Sequence, residues 1–135
     1  MRLYYLLFVL LIVLANTSCE KSRDDGDWDD NIHLSTRELI LPAIASSGQV
    51  TTKGDWWWVS EIHVDNQSYY DFEGVDLEFP GYSIKRDSIT VTRSDVNTLD
   101  IQLGKNPEAT FRVFIISLQA GNYFDYVKVT QEGSK

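Results

Sequence analysis

Apolar residues along this chain fall into two regimes. Leu3 to Ala15 is one unbroken apolar run of 13 residues, preceded by Arg2. Beyond it, apolar residues come in short β-branched and aromatic clusters between turn residues, and no helical period persists. Leu39-Ile40-Leu41 predicts a strand closed by Pro42, which has no N–H to extend a ladder. Ser46-Ser47-Gly48 reads as a turn, Gln49 to Thr52 as a short strand, and Lys53-Gly54-Asp55 as another turn. Trp56 to Val64 predicts a long strand, ended by Asp65-Asn66-Gln67-Ser68. Val75, Leu77 and Phe79 then alternate with Asp76 and Glu78 ahead of Pro80-Gly81. Ser88 to Thr92, Leu99 to Leu103, Thr110 to Leu118 and Tyr123 to Gln131 follow as strands. Thr110 to Leu118 is dense in Phe, Val and Ile, so it belongs at the centre of a sheet. Ala120-Gly121-Asn122 reads as a hairpin turn, because Gly and Asn accept positive φ.

Seven or eight strands at regular spacing predict an all-β fold, an immunoglobulin-like β-sandwich. The leading apolar run is something else. A membrane-spanning helix needs about 20 apolar residues, whereas the core of a signal peptide needs about 7–15. The length suits a signal peptide over residues 1–18. Asn16-Thr17-Ser18-Cys19 resembles a bacterial lipobox, in which small residues before a cysteine permit cleavage and the cysteine becomes the acylated N-terminus. Thr17 and Ser18 fit that pattern; Asn16 stands where it has Leu, Val or Ile. Cys19 is the only cysteine, and an unpaired thiol in an exported protein invites unwanted disulfides. Lipidation at Cys19 removes that hazard. Each buried methylene contributes about 0.8 kcal/mol, so several acyl chains anchor a domain stably. The expected partner of this end of the chain is therefore a membrane, reached through lipid.

Charge is concentrated just after Cys19. Residues 20–31 hold Glu20, Asp24, Asp25, Asp27, Asp29 and Asp30 against Lys21 and Arg23, in a chain whose formal net charge is −8. Like charges in a segment poor in apolar residues stay solvated, so residues 19–33 are expected to be a flexible acidic tether. Acids in this position also resemble the surface-export signal of Bacteroidetes lipoproteins, which implies an outer-membrane, cell-surface location. Asp25-Gly26-Asp27-Trp28-Asp29 has the alternating oxygens of a calcium loop but lacks the closing Glu of an EF-hand. No metal site is expected. The acidic body, without a basic stripe, argues against nucleic acid.

Several residues of the body form an ordered set: Asn106 in a turn, Arg112, Ile115, Gly121, and a final Val127-x-Val129-x-Gln131, with Gly48 and Trp56 to Trp58 earlier. In this order they resemble a BACON domain, a Bacteroidetes-associated carbohydrate-binding module, over residues 34–133. The match is weakest across residues 65–85, which read as an insertion. The resemblance implies an immunoglobulin-like sandwich in surface machinery that handles glycans; it carries over no defined site.

The candidate ligand-binding residues are aromatic. Trp56-Trp57-Trp58 can stack on sugar rings and donate indole N–H groups to hydroxyls. Adjacent strand residues face opposite ways, so Trp57 opposes Trp56 and Trp58, and at least one ring belongs in the core. Tyr69 and Tyr70 lie in the polar, aromatic stretch Asp65 to Glu73, whose mix suits glycan or protein contact as well as a cap on the sandwich. Tyr123, Phe124 and Tyr126 are expected to pack across the last hairpin. His33 and His63 sit in no catalytic motif, and no H-E-x-x-H, G-x-S-x-G or P-loop pattern occurs. The chain reads as a non-enzyme that needs no cofactor. Two functions fit: a surface glycan-binding module, or an accessory lipoprotein that acts as a spacer or docks an outer-membrane protein partner.

Overall fold

A computed structural model describes residues 29–135. The signal segment, Cys19 and the tether through residue 28 lie outside the described residues. Nine strands are present among the described residues: β1 (Glu38–Leu41), β2 (Ser46–Thr51), β3 (Trp58–Val64), β4 (Gln67–Tyr69), β5 (Tyr82–Arg86), β6 (Ile89–Asp95), β7 (Thr98–Leu103), β8 (Arg112–Ala120) and β9 (Tyr123–Gln131). They form a five-stranded sheet, β1-β9-β8-β3-β4, and a four-stranded sheet, β2-β7-β6-β5. This is the expected all-β sandwich. Pairing is antiparallel except between β1 and β9, the first and last strands. Pro42 follows β1 at the point where the chain leaves one sheet for the other. The apolar β8 takes the middle of its sheet, as its composition predicts.

Period-two alternation puts one face of each sheet inward. Val59, Ile62, Phe114, Ile116, Leu118, Val127 and Val129 from the larger sheet meet Val50, Ile84, Ile89, Val91, Leu99 and Ile101 from the smaller. Full burial of such a side chain is worth about 1.5–3 kcal/mol each. Bulges interrupt β3 at Ser60 and β6 at Ser94.

The strand assignment differs from expectation in five places. β3 begins at Trp58, so Trp56 and Trp57 lie ahead of the strand expected to hold them. Ser46-Ser47-Gly48 is not a turn but the start of β2, paired with β7. Leu39 packs across Gly48, where a Cβ would come within 2.9 Å of Leu39 Cδ1 and that side chain would have to shift. Residues 75–79 form no strand; Val75 and Leu77 instead pack half-buried against the core from a loop. Tyr82–Arg86 is a strand, with Tyr82 and Ile84 inward. Gln67–Tyr69 turns back after Asp65-Asn66 to pair with β3, with Asp65 at φ 52°.

The packed domain also begins earlier than residue 34. Ile32 is fully buried in the core, and its carbonyl accepts the N–H groups of Lys53 and Gly54. Asp30 Oδ1 accepts the N–H groups of Ile32 and His33 at 2.9 and 2.7 Å. One apolar residue with a place in the core is enough to draw the end of the acidic segment onto the sandwich.

At one end of the sandwich, polar residues hold the loops. Gln131, fully buried, donates from Nε2 to the Pro42, Ile44 and Gly104 carbonyls at 3.1, 3.3 and 2.9 Å. Its Oε1 accepts Arg112 Nε at 2.8 Å. Asn106, also fully buried, donates to the Thr110 and Glu132 carbonyls at 2.9 Å each and accepts the Glu108 N–H at 3.2 Å. Asn106, Arg112 and Gln131, three positions of the ordered set, thus have structural work in one buried network.

Candidate functional site

The three tryptophans separate, though not along one strand: Trp58 opens β3, and Trp56 and Trp57 precede it. Trp57 is buried, 1% exposed. Its Nε1 is shared between Thr52 Oγ1 and the Gly54 carbonyl, at 3.0 and 3.1 Å. The Arg93 guanidinium lies 4.2 Å from the ring. Arg93 is itself buried without a carboxylate against it: Nη2 donates to the Asp55 and Val96 carbonyls, and Nε has no partner. Burial lowers its pKa, opposed by Tyr82, Asp55 and Asp95. Beside it, burial raises the Tyr82 phenol, whose oxygen accepts the Val59 N–H at 3.1 Å.

Trp56 and Trp58 are the available rings, Trp56 65% exposed and Trp58 half-buried. Their centroids stand 5.6 Å apart with planes at 74°, edge to face. Trp56 lies over the β8–β9 turn, where a Cβ on Gly121 would meet its ring at 3.4 Å. The opposite wall comes from the loop between β4 and β5. Phe72 plugs that loop into the core. Arg86 holds it further, donating to the Asp71 carbonyl at 2.8 Å and lying over the Tyr69 and Phe72 rings. Leu77, Glu78 and Phe79 are thereby carried to the tryptophans. The result is a cleft of about 570 Å³ lined by Trp56, Trp57, Trp58, Leu77, Glu78 and Phe79.

Tyr69 and Tyr70 do not join this cleft. Tyr69 pairs with Ile62, towards the other end of β3 from Trp58. Its hydroxyl donates to Asp87 Oδ2 at 2.8 Å, and that bond raises its pKa. Tyr70 is exposed. Cys19 lies outside the described residues. Sequence reasoning missed Leu77, Glu78 and Phe79 as site residues. The signal was the alternation at 75–79, which reads as a strand and instead supplies a wall. His63 faces outward and shares a 2.8 Å hydrogen bond with Ser68 Oγ through Nδ1.

The outward face of the larger sheet is the other notable surface. Phe124 pairs with Gln119 and Tyr126 with Ser117, so polar partners replace the expected cross-strand aromatic packing and leave both rings exposed. Ile40 and Phe111 are exposed as well. Among the described residues, no group of three or more His, Cys, Asp or Glu side chains gathers in a metal-binding arrangement. No helix among them is long and apolar enough to cross a membrane.

Neither a protein-family model nor a curated protein sequence matches the chain. The NMR structure of a protein from Bacteroides thetaiotaomicron is 24% identical, with a TM-score of 0.63 over 87% of this chain and 99% of that one. The likeness is one of fold. An endo-fucoidan hydrolase of glycoside hydrolase family 107 matches 81% of this chain but 14% of its own, at 13% identity and a TM-score of 0.45. A variant of that hydrolase matches 78% of this chain at the same score.

Proposed function

We propose that this protein is a lipid-anchored, cell-surface binding module for glycans, without catalytic activity. The observation that carries the reading is the open cleft in which exposed Trp56 and half-buried Trp58 face Phe79. Aromatic rings with polar handles at the mouth of a rigid sandwich suit sugar, whose C–H groups pack on π faces while hydroxyls take hydrogen bonds. The resemblance to BACON domains points the same way. The anchor rests on the lipobox-like Thr17-Ser18-Cys19 and the acidic segment behind it. The binding test is a glycan array and affinity gels with wild type, Trp56→Ala and Trp58→Ala. Binding that both variants weaken supports the reading, and no binding to any glycan refutes it. The anchor test is metabolic labelling with a fatty-acid probe, in which Cys19→Ala should lose the label.

A second reading, an accessory lipoprotein docking an outer-membrane protein, draws on the outward face of β9, where Phe124 and Tyr126 are exposed two residues apart. Neighbouring exposed aromatic rings on a sheet face suit a protein contact. Cross-linking on intact membranes distinguishes it: a partner captured by wild type and lost from Phe124→Ser/Tyr126→Ser favours docking.

A further inference from the structure

The cleft has features that sugar stacking alone does not require. One ring such as Trp56 is enough to stack a pyranose, yet a second ring, Trp58, stands beside it at 74°. Phe79 adds a third accessible ring to the lining, while Trp57, 1% exposed and covered by Arg93, offers no free face. That geometry suits a compact group that can touch more than one ring at once. The charge of the lining is one-sided. Glu78 is the only ionisable residue in it. The loop that supplies it, together with its flanks from Asp65 to Ser83, contains Asp65, Asp71, Glu73, Asp76 and Glu78 and no Lys or Arg. Two cations border this region: Arg86, bound to the Asp71 carbonyl and set over Tyr69 and Phe72 outside the cleft lining, and Arg93, buried under Trp57. Arg93 is 1% exposed beneath Trp57, whereas Glu78 is exposed, so Glu78 is the charged side chain that the cleft presents to a ligand.

We propose that this cleft is selective for an ammonium group, and that the glycans it takes are those bearing free amines, such as de-N-acetylated hexosamine chains. An ammonium held within about 6 Å of aromatic ring faces is attracted by their quadrupoles, and perpendicular rings present such faces from two sides. Glu78 supplies the opposite charge at the rim. A sulfated or uronate-rich glycan would meet Glu78 and the acidic loop with like charge, and an N-acetylated sugar would bring a neutral amide. The inference rests on the glycan reading above and narrows its ligand class.

The test titrates the full-length protein in a polyoxyethylene detergent, which contains neither sugar nor ammonium, and follows tryptophan fluorescence and binding heat. Four probes are used: glucosamine tetramer, N-acetylglucosamine tetramer, cellotetraose and choline. The amine tetramer should bind about tenfold more tightly than either neutral tetramer, the scale of a partly desolvated cation–π contact. Choline should compete with it. Glu78→Gln, at an exposed position, should weaken the amine tetramer several-fold and leave the neutral ones unchanged. Raising the pH until the sugar amine is neutral should abolish the preference. Neutral tetramers binding as tightly as the amine tetramer would overturn the ammonium selectivity and leave the glycan reading standing. Choline binding with no sugar bound would uphold the ammonium site and overturn the glycan reading. Binding of none of the four overturns the proposal.

Discussion

Asn106→Asp replaces one side chain by another of nearly the same shape, and the structure predicts a large effect. The Asn106 amide donates two hydrogen bonds, to the Thr110 and Glu132 carbonyls at 2.9 Å each, from a fully buried position. A carboxylate there presents an oxygen where the donor stood, facing two carbonyl oxygens. Losing both donations costs about 1 kcal/mol each, and a buried charge without a partner raises the total to about 3–5 kcal/mol. Against a domain stability of about 5–15 kcal/mol, that is a large fraction. The cost should depend on pH, with a definite sign. The introduced carboxyl has a folded-state pKa above its unfolded value of about 4. Below that value both states are protonated, one carbonyl receives an O–H donor, and the penalty shrinks to about 1–3 kcal/mol. It grows as pH rises through the unfolded pKa and levels off above the folded one. Asn106→Ala leaves the same carbonyls and the Glu108 N–H unpaired without adding a charge, so its cost should not vary with pH. Urea unfolding followed by tryptophan fluorescence between pH 3 and 8 measures all three proteins. A cost for Asn106→Asp below about 1 kcal/mol at pH 7, or one that does not vary with pH, would show that this network does not hold the loops.

Other perturbations have equally definite outcomes. Trp57→Ala should cost about 3–5 kcal/mol in urea unfolding, whereas Trp56→Ala should cost within about 0.5 kcal/mol and act on glycan binding instead. Gly54→Ala should lower the thermal midpoint sharply, because its Cβ would come within 2.0 Å of the Asn31 carbonyl oxygen; Gly74→Ala, at φ 76° in open space, should cost only about 1 kcal/mol. Arg37 donates to both Asp125 oxygens, at 2.9 and 2.6 Å, and that pairing raises its own pKa. Arg37→Met removes the charge partner of Asp125, 7% exposed, but Arg37 is half exposed and Asp125 keeps the Tyr126 N–H, so screening holds the cost to about 1–2 kcal/mol in urea unfolding. Burial pushes the Asp30 carboxyl up, but the His33 and Ile32 N–H groups and the charges of His33 and Arg37 outweigh it and hold it below its ordinary range. The resulting stabilisation is full above about pH 4 and disappears as pH falls through the depressed pKa. A thermal-midpoint profile of Asp30→Asn should therefore be flatter on the acid side than that of wild type.

Strands whose alternation is driven by their own apolar residues were legible in the chain. Thr110 to Leu118 and Tyr123 to Gln131 fall on β8 and β9, and Leu99 to Leu103 on β7, because each buries a face rich in Ile, Val, Leu or Phe. Gln67–Tyr69 was not legible: it is polar, and it becomes a strand only because β3 offers an unpaired edge. Alternation at 75–79 misled for the converse reason. Val75 and Leu77 are apolar to cover the core from a loop, and burial against an existing surface needs no ladder. That one of the three tryptophans is core was legible, but strand alternation is not the cause, since Trp56 and Trp57 precede β3. The tryptophan cleft was not legible, since its other wall lies some twenty residues away in sequence and is brought in by Phe72 and Arg86.

The sequence by itself determined the fold class and which strand is central, because period-two burial is a local property of the chain. Its apolar run and Cys19 set the expectation of an anchored, exported domain. Only the tertiary structure decided that Ile32 belongs to the core, that Asn106, Arg112 and Gln131 share one buried network, and that Glu78 and Phe79 face the tryptophans. Each of these is a contact between segments far apart along the chain. Burial and unpaired polar groups select such contacts when the two sheets close on one another.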